Sequence, residues 1–182
     1  MIDEDIVKEE FIRNFEDKLY IQKKIKDFSQ VVFLCIGTDK VIGDSIGPLV
    51  GSKLQELIRD YNIFNIDIYG SLKSNVNYIN IENIIKKINK YYTDACIIVI
   101  DSALSKKENI GKIYVSNTKT VLGKGLNKNK IQIGDISIKA VVGKDLKIPK
   151  YNFKNLQEIS LGLILNLSNT LANGIFEVIK YT

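Results

Sequence analysis

Apolar residues follow two spacings along this chain, and each spacing predicts one type of secondary structure. Where they recur every three to four positions, they share one face of an α-helix. Where they form short runs rich in β-branched residues, they are typical of strands buried in a parallel sheet. The first spacing predicts helices over residues 5–27, 45–61, 79–91 and 153–179. The second, with a short alternating segment at 66–69, predicts strands at residues 31–36, 95–100, 113–115 and 136–142.

The helical spacing is longest at the two ends of the chain. In the first segment Phe11, Phe15 and Leu19 recur on one face, and Ile12 and Ile25 lie near that face. The last segment carries apolar residues at the same spacing, namely Leu156, Ile159, Leu163, Leu167, Leu171, Ile175 and Val178. We therefore predict a helix at each end of the chain, the second being one long amphipathic helix.

The order of the predicted elements indicates the fold class. Strands alternate with helices, which favours a mainly parallel sheet covered by helices on both faces. No internal repeat, low-complexity stretch or interdomain linker interrupts this order. We predict a single three-layer α/β domain over residues 1–182, in which residues 1–28 form an added N-terminal helix.

The composition narrows the cellular setting. Of the 182 residues, 45% are hydrophobic and 26% are charged, as in an ordinary soluble protein. No apolar run approaches the roughly 20 residues that a membrane-spanning helix needs, and the acidic start does not resemble a secretion signal. Cys35 and Cys96 lie inside apolar runs, which is typical of buried thiols in a reducing compartment. We expect a cytoplasmic protein with no membrane partner.

The net charge of +5 comes mostly from dispersed lysines. Some have the spacing of the solvent face of a helix and others lie in a predicted loop: Lys86, Lys87, Lys90, Lys124, Lys128 and Lys130. Nucleic-acid binding favours clustered arginine and lysine with interleaved aromatic residues, and arginine is scarce here. We interpret the charge as a solvated basic surface and expect no nucleic-acid partner.

The sequence contains no histidine. Ser-His-Asp and Cys-His catalysis need an imidazole to carry the proton, and zinc hydrolases usually need imidazole ligands. These classes are excluded in their usual forms. Acid–base chemistry near neutral pH is left to carboxylates, lysine, tyrosine or metal-bound water.

Two acidic residues follow predicted strands, where open parallel sheets bind their ligands. Asp44 lies in the loop after the first strand, just before a helix whose start is limited by Pro48, and Asp101 follows the third apolar run. If those strands are neighbours, the carboxylates come together and either share a proton or hold a cation. Each arrangement activates water toward an amide carbonyl. Alternatively, Asp44 caps the helix and Asp101 binds loop amides.

Phosphate binding is a competing reading of the glycine-rich stretch at residues 37–51. Its first eight residues read G-T-D-K-V-I-G-D, which is neither G-x-G-x-x-G nor a P-loop. The two acids in this loop would also repel a pyrophosphate. We therefore do not expect a nucleotide ligand.

The stretch from Cys35 to Gly51, C-I-G-T-D-K-V-I-G-D-S-I-G-P-L-V-G, resembles the signature of the YyaC-type sporulation proteins, C-I-G-T-D-R-S-T-G-D-x-L-G-P-L-V-G. The similarity continues through Gly70-Ser-Leu, the stretch V-I-D-S-A-L at residues 99–104, I-G-D-I-S-I at residues 133–138 and the terminal helix. It covers most of the chain after Val31. This family resembles the spore germination protease and the hydrogenase maturation proteases, which share an α/β fold.

The resemblance implies roles for the two aspartates. In the germination protease one aspartate stands in a D-A-L-G-P context, which falls on Asp44, and a second in an I-D-A-L context, which falls on Asp101. The resemblance implies that these are the catalytic pair. In the hydrogenase maturation proteases the same positions are acidic, contact metal and are joined by a histidine. Since this chain has no histidine, the resemblance favours an aspartic-type mechanism over a nickel-type site.

The sequence departs from the family pattern around the site. Lys40 replaces an arginine and Ile42 a threonine, Asn75-Val76-Asn77 replaces proline-valine-histidine, and a P-G-x-G loop reads L-G-K-G at residues 122–125. These changes favour an altered substrate or a weakened activity. They leave both aspartates in place.

We therefore expect a sporulation-associated endopeptidase that hydrolyses a protein amide bond, with Asp44 and Asp101 sharing a proton. The predicted substrate-binding residues are Gly37, Thr38, Asp39, Gly43, Ser71 and Ser102. The two glycines and Thr38 are expected to offer backbone N–H groups, and the two serines to tune the carboxylates.

Two other readings stay open. One is a non-catalytic binding or regulatory sporulation protein on a peptidase-like scaffold. The other is a metal-assisted hydrolase in which Asp44 and Asp101, with or without Asp39, hold a hard divalent cation. In the leading reading no cofactor is expected, the partner is a protein or peptide substrate, and the location is the cytoplasm of the mother cell or the spore interior. The sequence leaves the oligomeric state open.

Overall fold

The computed structural model describes residues 4–122 and 131–180. Its helices are α1 (Glu4–Ile25), α2 (Ile46–Asp60), α3 (Ile81–Tyr91), α4 (Pro149–Gln157) and α5 (Leu161–Ile179). Its strands are β1 (Gln30–Cys35), β2 (Ile66–Tyr69), β3 (Ala95–Ser105), β4 (Ile113–Ser116), β5 (Thr120–Leu122), β6 (Ile131–Ile133) and β7 (Ile136–Lys144). Short 3₁₀ turns lie at Ile42–Asp44 and Lys107–Asn109. The predicted loop lysines Lys124, Lys128 and Lys130, and most of the L-G-K-G segment, lie outside the described residues.

The main sheet has five strands in the order β2-β1-β3-β7-β4. The β2–β1, β1–β3 and β3–β7 pairs are parallel, and β4 is antiparallel to β7 at one edge. The β5–β6 hairpin forms a separate two-stranded sheet that the sequence pattern did not predict. The prediction of a mainly parallel α/β sheet is confirmed.

Both faces of the sheet are covered, as expected for three layers. Phe33, Ile98 and Ile138 point to the face on which α1, α2 and α5 pack. Leu34 and Val99 point to the opposite face, which α3 and the β5–β6 hairpin cover. Burial of each such side chain stabilises the fold by about 1.5–3 kcal/mol, which explains why these strands are continuous apolar runs.

The N-terminal helix forms where its spacing predicts it, but one of its apolar residues lies elsewhere. Phe11, Phe15 and Leu19 are buried, as predicted. Ile25 is 71% exposed, contrary to its predicted place near the buried face, and Gln22 is buried instead. Gln22 follows Leu19 by three positions and stays on the packed face, whereas Ile25 lies at the last residue of the helix.

The predicted single helix over residues 153–179 is wrong, because the chain forms α4 and α5 with an 86° bend between them. Ser160 has an extended backbone (φ −62°, ψ 124°), which ends the first helix and begins the second. The helix α4 packs on the 3₁₀ turn at Ile42–Asp44 and on β7, whereas α5 packs on α1 and α2. Apolar residues keep the same spacing through both helices, but only α5 buries them fully, so the periodicity continues across a change of direction.

Two strands are longer than their apolar runs predict. The strand β3 does not close at Asp101 but continues to Ser105, and β7 passes through Gly143 to Lys144. These extensions pair with each other, from Asp101 with Lys139 to Ser105 with Lys144. Asp101 therefore lies within a strand rather than in a loop.

No single helix within the described ranges is long and apolar enough to cross a membrane. The pair α4 and α5 reaches that length and composition only together, across their bend.

Candidate active site

A cleft of about 800 Å³ lies beyond the carboxyl end of β1 and contains both aspartates. The loop after β1 contributes Gly37, Thr38 and Asp44, and β3 contributes Asp101. The other walls come from the segment before α3, from the β5–β6 hairpin and from α4. Open parallel sheets bind ligands at this position, so the cleft is the candidate site.

The loop after β1 is closed on itself, and this closure fixes the position of Asp44. Gly37 has φ 143°, and a Cβ at this position would lie 2.0 Å from the carbonyl oxygen of Asp44. The N–H of Thr38 donates to that same carbonyl at 2.9 Å. The Ser45 hydroxyl donates to the carbonyl of Ile42 at 2.7 Å and stabilises the 3₁₀ turn. Ser45, not Asp44, is the N-cap residue of α2, so the aspartate is not explained as a helix cap.

Asp101 reaches the same cleft because β1 and β3 are parallel neighbours. Their last paired residues are Cys35 and Ile100, so Asp101 follows directly beyond the end of β1. The Ser102 hydroxyl donates to Oδ1 of Asp44 at 3.4 Å, which connects the two strand ends. The sequence-based expectation that the two carboxylates meet at one sheet edge agrees with this geometry.

Both carboxyl groups are half-buried, and both have raised pKa values. Burial raises the pKa of Asp44 to about 6, against hydrogen bonds from Ser102 and Thr38 that lower it. Burial, and then the charge of Asp44, raise the pKa of Asp101 to about 7. Lys139 and the backbone N–H of Ser102 act in the opposite direction on Asp101. Near neutral pH the pair therefore tends to hold one proton between two carboxylates, the state in which one member is a base and the other an acid.

Lys139 is a neighbour of the pair that sequence reasoning missed. It lies on β7 directly beside Asp101 in the strand register and beside Tyr114 of β4 on its other side. Its side chain is half-buried on the same sheet face as Asp101, since both residues alternate with buried isoleucines of the opposite face. The available signal was a lysine in the middle of an otherwise apolar strand, where an unpaired charge is costly.

Lys139→Met is expected to raise the pKa of Asp101 further, because it removes the cation that favours the ionised carboxylate. The measurement is a ¹³C NMR titration of the aspartate carboxyl groups in the folded protein. Lys139→Arg keeps the charge and should leave the titration close to wild type. Lys144→Met removes an exposed lysine five positions further along β7, roughly 17 Å away and beyond the screening length, and should have no effect. A shift of equal size in the Met variants at 139 and 144 would contradict the assignment.

The predicted substrate-binding residues are not equally placed. Gly37 and Thr38 line the cleft, but the N–H of Gly37 donates to Val76 at 2.8 Å and that of Thr38 donates to Asp44. Both N–H groups are thus engaged within the protein, contrary to the expectation that they are offered to a substrate. Ser102 contacts Asp44, as predicted for a serine that tunes a carboxylate.

Three other predicted residues lie behind or beside the cleft. Asp39 is exposed and accepts a hydrogen bond from the Asn75 amide at 2.6 Å. Gly43 is buried against α4, where a Cβ would lie 2.7 Å from Leu156. Ser71 is buried and receives a hydrogen bond from the backbone N–H of Ser74 at 3.3 Å. Direct substrate contact by these residues stays a prediction.

The helix α4 is the largest part of the site that the sequence did not reveal. Phe153 and Leu156 line the cleft, and α4 packs on the turn that carries Asp44. The predicted continuous helix placed these two residues in one straight element with α5. The bend at residues 158–160 is what brings them over the site.

The donor set at the site does not fit a three-ligand metal centre. Within residues 4–122 and 131–180 no group of three histidine, cysteine, aspartate or glutamate side chains is placed to hold one ion. Asp39, the expected third carboxylate, is instead hydrogen-bonded to Asn75. Transition-metal sites in hydrolases normally use three protein ligands, so the arrangement does not fit such a centre. A hard cation such as Mg²⁺ needs only one or two carboxylates, and its binding at Asp44 and Asp101 stays a prediction.

Comparison with known proteins agrees with the fold and the signature. One structural neighbour is the [NiFe] hydrogenase maturation protease HycI from Thermococcus kodakarensis KOD1, with a TM-score of 0.59. At 18% identity it covers 88% of this chain and 99% of its own, which shows a common fold.

A sequence relative is "Uncharacterized protein YyaC" of Bacillus subtilis (strain 168). The two are 30% identical over 145 residues, which are 80% of this chain and 67% of YyaC. The family described as "Protein of unknown function (DUF1256)" matches residues 5–174. The chain therefore belongs to the DUF1256 family.

Proposed function

We propose that this protein is a sporulation-associated endopeptidase that hydrolyses a protein amide bond with Asp44 and Asp101. The observation that carries the proposal is the meeting of two half-buried carboxyl groups in one cleft, where the charge of one raises the pKa of the other. The peptidase-like scaffold shared with HycI supports it. The resemblance of residues 35–51 to the signature of the YyaC-type sporulation proteins supports the link to sporulation.

In the proposed reaction the ionised carboxylate removes a proton from a water molecule as the water oxygen attacks the amide carbonyl carbon. The protonated partner donates its hydrogen bond to the carbonyl oxygen and stabilises the negative charge that develops there. The proton taken from water then passes to the leaving amine as the C–N bond breaks. One water is consumed, and the pair again holds one proton. The scheme requires no cofactor.

A hydrogen bond to Asp44 supports a role for Ser102 in this scheme. Its hydroxyl donates to Oδ1 of Asp44, which lowers the pKa of Asp44 relative to burial alone. This hydrogen bond favours the ionised form of Asp44, so Asp44 is the favoured base and Asp101 the favoured holder of the shared proton. We place this activity in the cytoplasm of the mother cell or in the spore interior.

The test is a comparison of cleavage products. Wild type and the Asp44→Asn and Asp101→Asn variants are incubated with extract of sporulating cells, and new protein N-termini are mapped. We expect N-termini that appear with wild type and are absent with either variant, because each variant removes one of the two proton-transfer groups. Identical maps for all three proteins would end the hydrolase proposal and leave a non-catalytic binding protein on the same scaffold.

A further inference from the structure

We infer that the cleft binds an extended protein segment with bulky apolar side chains on both sides of the bond that faces Asp44 and Asp101. The inference deepens the proposed function and rests on it only for the identity of the bond. Binding itself depends on the walls of the cleft, so peptide binding and amide hydrolysis can be tested separately.

The walls of the cleft are mostly apolar, with polar contributions from Thr38, Asn75 and Asn77, and they come from separate elements. Ile79 and Ile81 contribute from the start of α3, Leu122 and Ile131 from the β5–β6 hairpin, and Phe153 and Leu156 from α4. The two aspartates are thus surrounded by aliphatic and aromatic side chains. A ligand that presents its own apolar groups removes both surfaces from water, at about 25 cal/mol per Å².

Large side chains at the rim are exposed in the free protein. Ile79 is 75% exposed, Tyr78 is 68% exposed and Phe153 is 55% exposed. They belong to two elements that contribute separate walls of the cleft, the segment leading into α3 and the helix α4. Exposed apolar side chains around a site with convergent polar groups are typical of a binding surface.

The charges in the cleft favour an apolar ligand over a charged one. Apart from the aspartates, the charged lining residues within 4–122 and 131–180 are Lys40 and Glu82, whose charges are opposite. Asp44 and Asp101 repel acidic side chains. A lysine or arginine side chain that entered would pair with the two carboxylates themselves and keep the amide bond away from them, so it does not suit the position that faces the pair.

An extended backbone satisfies this geometry. Successive side chains of an extended segment point in opposite directions, so neighbouring residues can meet opposite walls while the amide between them faces the carboxylates. A cleft of about 800 Å³ lies within the range of about 300–1,000 Å³ typical of ligand sites. A compact folded surface could not bring an amide bond to carboxyl groups that are half-buried at the strand ends.

The experiment uses labelled peptides of about eight residues that differ only at the two central positions, which are Leu-Phe, Lys-Lys or Glu-Glu. Affinities are measured by fluorescence anisotropy with the full-length double variant Asp44→Asn, Asp101→Asn, so that hydrolysis does not interfere and any preference among the peptides comes from the apolar walls. We expect the Leu-Phe peptide to bind about tenfold more tightly than either charged peptide. In isoleucine methyl NMR spectra the Leu-Phe peptide should shift the signals of Ile79, Ile81 and Ile131. The signal of Ile63, which lies away from the cleft, should not shift.

Matched substitutions locate the binding. Ile79→Asp and Phe153→Asp should each weaken binding of the Leu-Phe peptide by about tenfold. Phe64→Asp is the control, because Phe64 is 80% exposed and lies outside the cleft. Equal or tighter binding of a charged peptide, no Leu-Phe binding up to about 1 mM, or the same loss in all three variants would overturn the inference. Binding of the Leu-Phe peptide without cleavage products in sporulating-cell extract would support the inference and count against hydrolysis.

Discussion

Asp101→Asn is expected to raise the midpoint of thermal unfolding at pH 8 by about 4–8 °C, while abolishing the proposed activity. At this pH the wild type carries two neighbouring carboxylates in a partly buried site, and burial and Asp44 both oppose the charge on Asp101. Asparagine has nearly the same shape and carries no charge. The pKa of Asp101 rises from 3.8 to about 7. Of the free energy that this shift represents, we expect roughly 2 kcal/mol to appear as added stability of the variant.

The sign of the pH dependence follows from the direction of the shift. Between about pH 4 and pH 7 the folded wild type keeps a proton on Asp101 that the unfolded chain releases. The stability that this site contributes is therefore full below pH 4 and is lost as the pH rises through 7. The variant has no such group, so its advantage should be small at pH 4 and largest at pH 8.

Thermal unfolding followed by circular dichroism from pH 4 to pH 8 measures this difference. Asp94→Asn is the control, because it neutralises an exposed aspartate in the turn before the same strand. It should leave the midpoint nearly unchanged at both ends of the pH range. A gain of the same size at pH 4 and pH 8, or a loss at pH 8, would show that Asp101 does not carry a disfavoured charge.

A gain of stability coupled to a loss of activity distinguishes a functional carboxylate from a structural one. A carboxylate that simply bonded loop amides would stabilise the fold, and its removal would destabilise it at neutral pH. Among the residues that the structure describes, Lys139 and the Ser102 backbone N–H favour the ionised form of Asp101, and burial outweighs both. Functional sites are where proteins commonly retain such locally unfavourable groups.

The sequence allowed the position of the aspartate pair to be predicted because each step was local. The apolar runs before Gly37 and before Asp101 have the length and composition of buried parallel strands. Pro48 limited the start of the following helix, which left Asp44 in the connecting loop. The sequence alone does not establish that the two strands are neighbours. The pairing of Cys35 with Ile100 shows that they are.

The features that escaped prediction depend on tertiary packing. The spacing of apolar residues indicates which face of a helix is buried but not where the helix changes direction. It therefore predicts one helix where the structure has α4 and α5. The end of an apolar run likewise marks where the core ends rather than where strand pairing ends, so Asp101 was placed after β3 instead of within it. Lys139 was overlooked because its neighbour is on another strand.

The packing of α2 against the sheet is the feature that holds the Asp44 turn at the strand end. A Cβ at Gly47 would lie 2.1 Å from the carbonyl oxygen of Ile36, and a Cβ at Gly51 would lie 1.8 Å from that of Gly70. Both glycines are within the helix α2 and are buried. Their spacing of four residues places them on one helix face, so the helix backbone approaches the strand ends directly.

Gly51→Ala is therefore expected to lower the free energy of unfolding by about 2–3 kcal/mol, because the added methyl group meets backbone atoms that cannot rotate away. Helix propensity alone predicts the opposite sign, a gain of up to about 1 kcal/mol. Urea unfolding followed by circular dichroism measures the change. Gly162→Ala in α5 is the matched control, since its Cβ would meet only the Ser160 hydroxyl, at 3.5 Å, and should be neutral or stabilising. If both variants gained stability, the close approach of α2 to the strand ends could not be what positions Asp44.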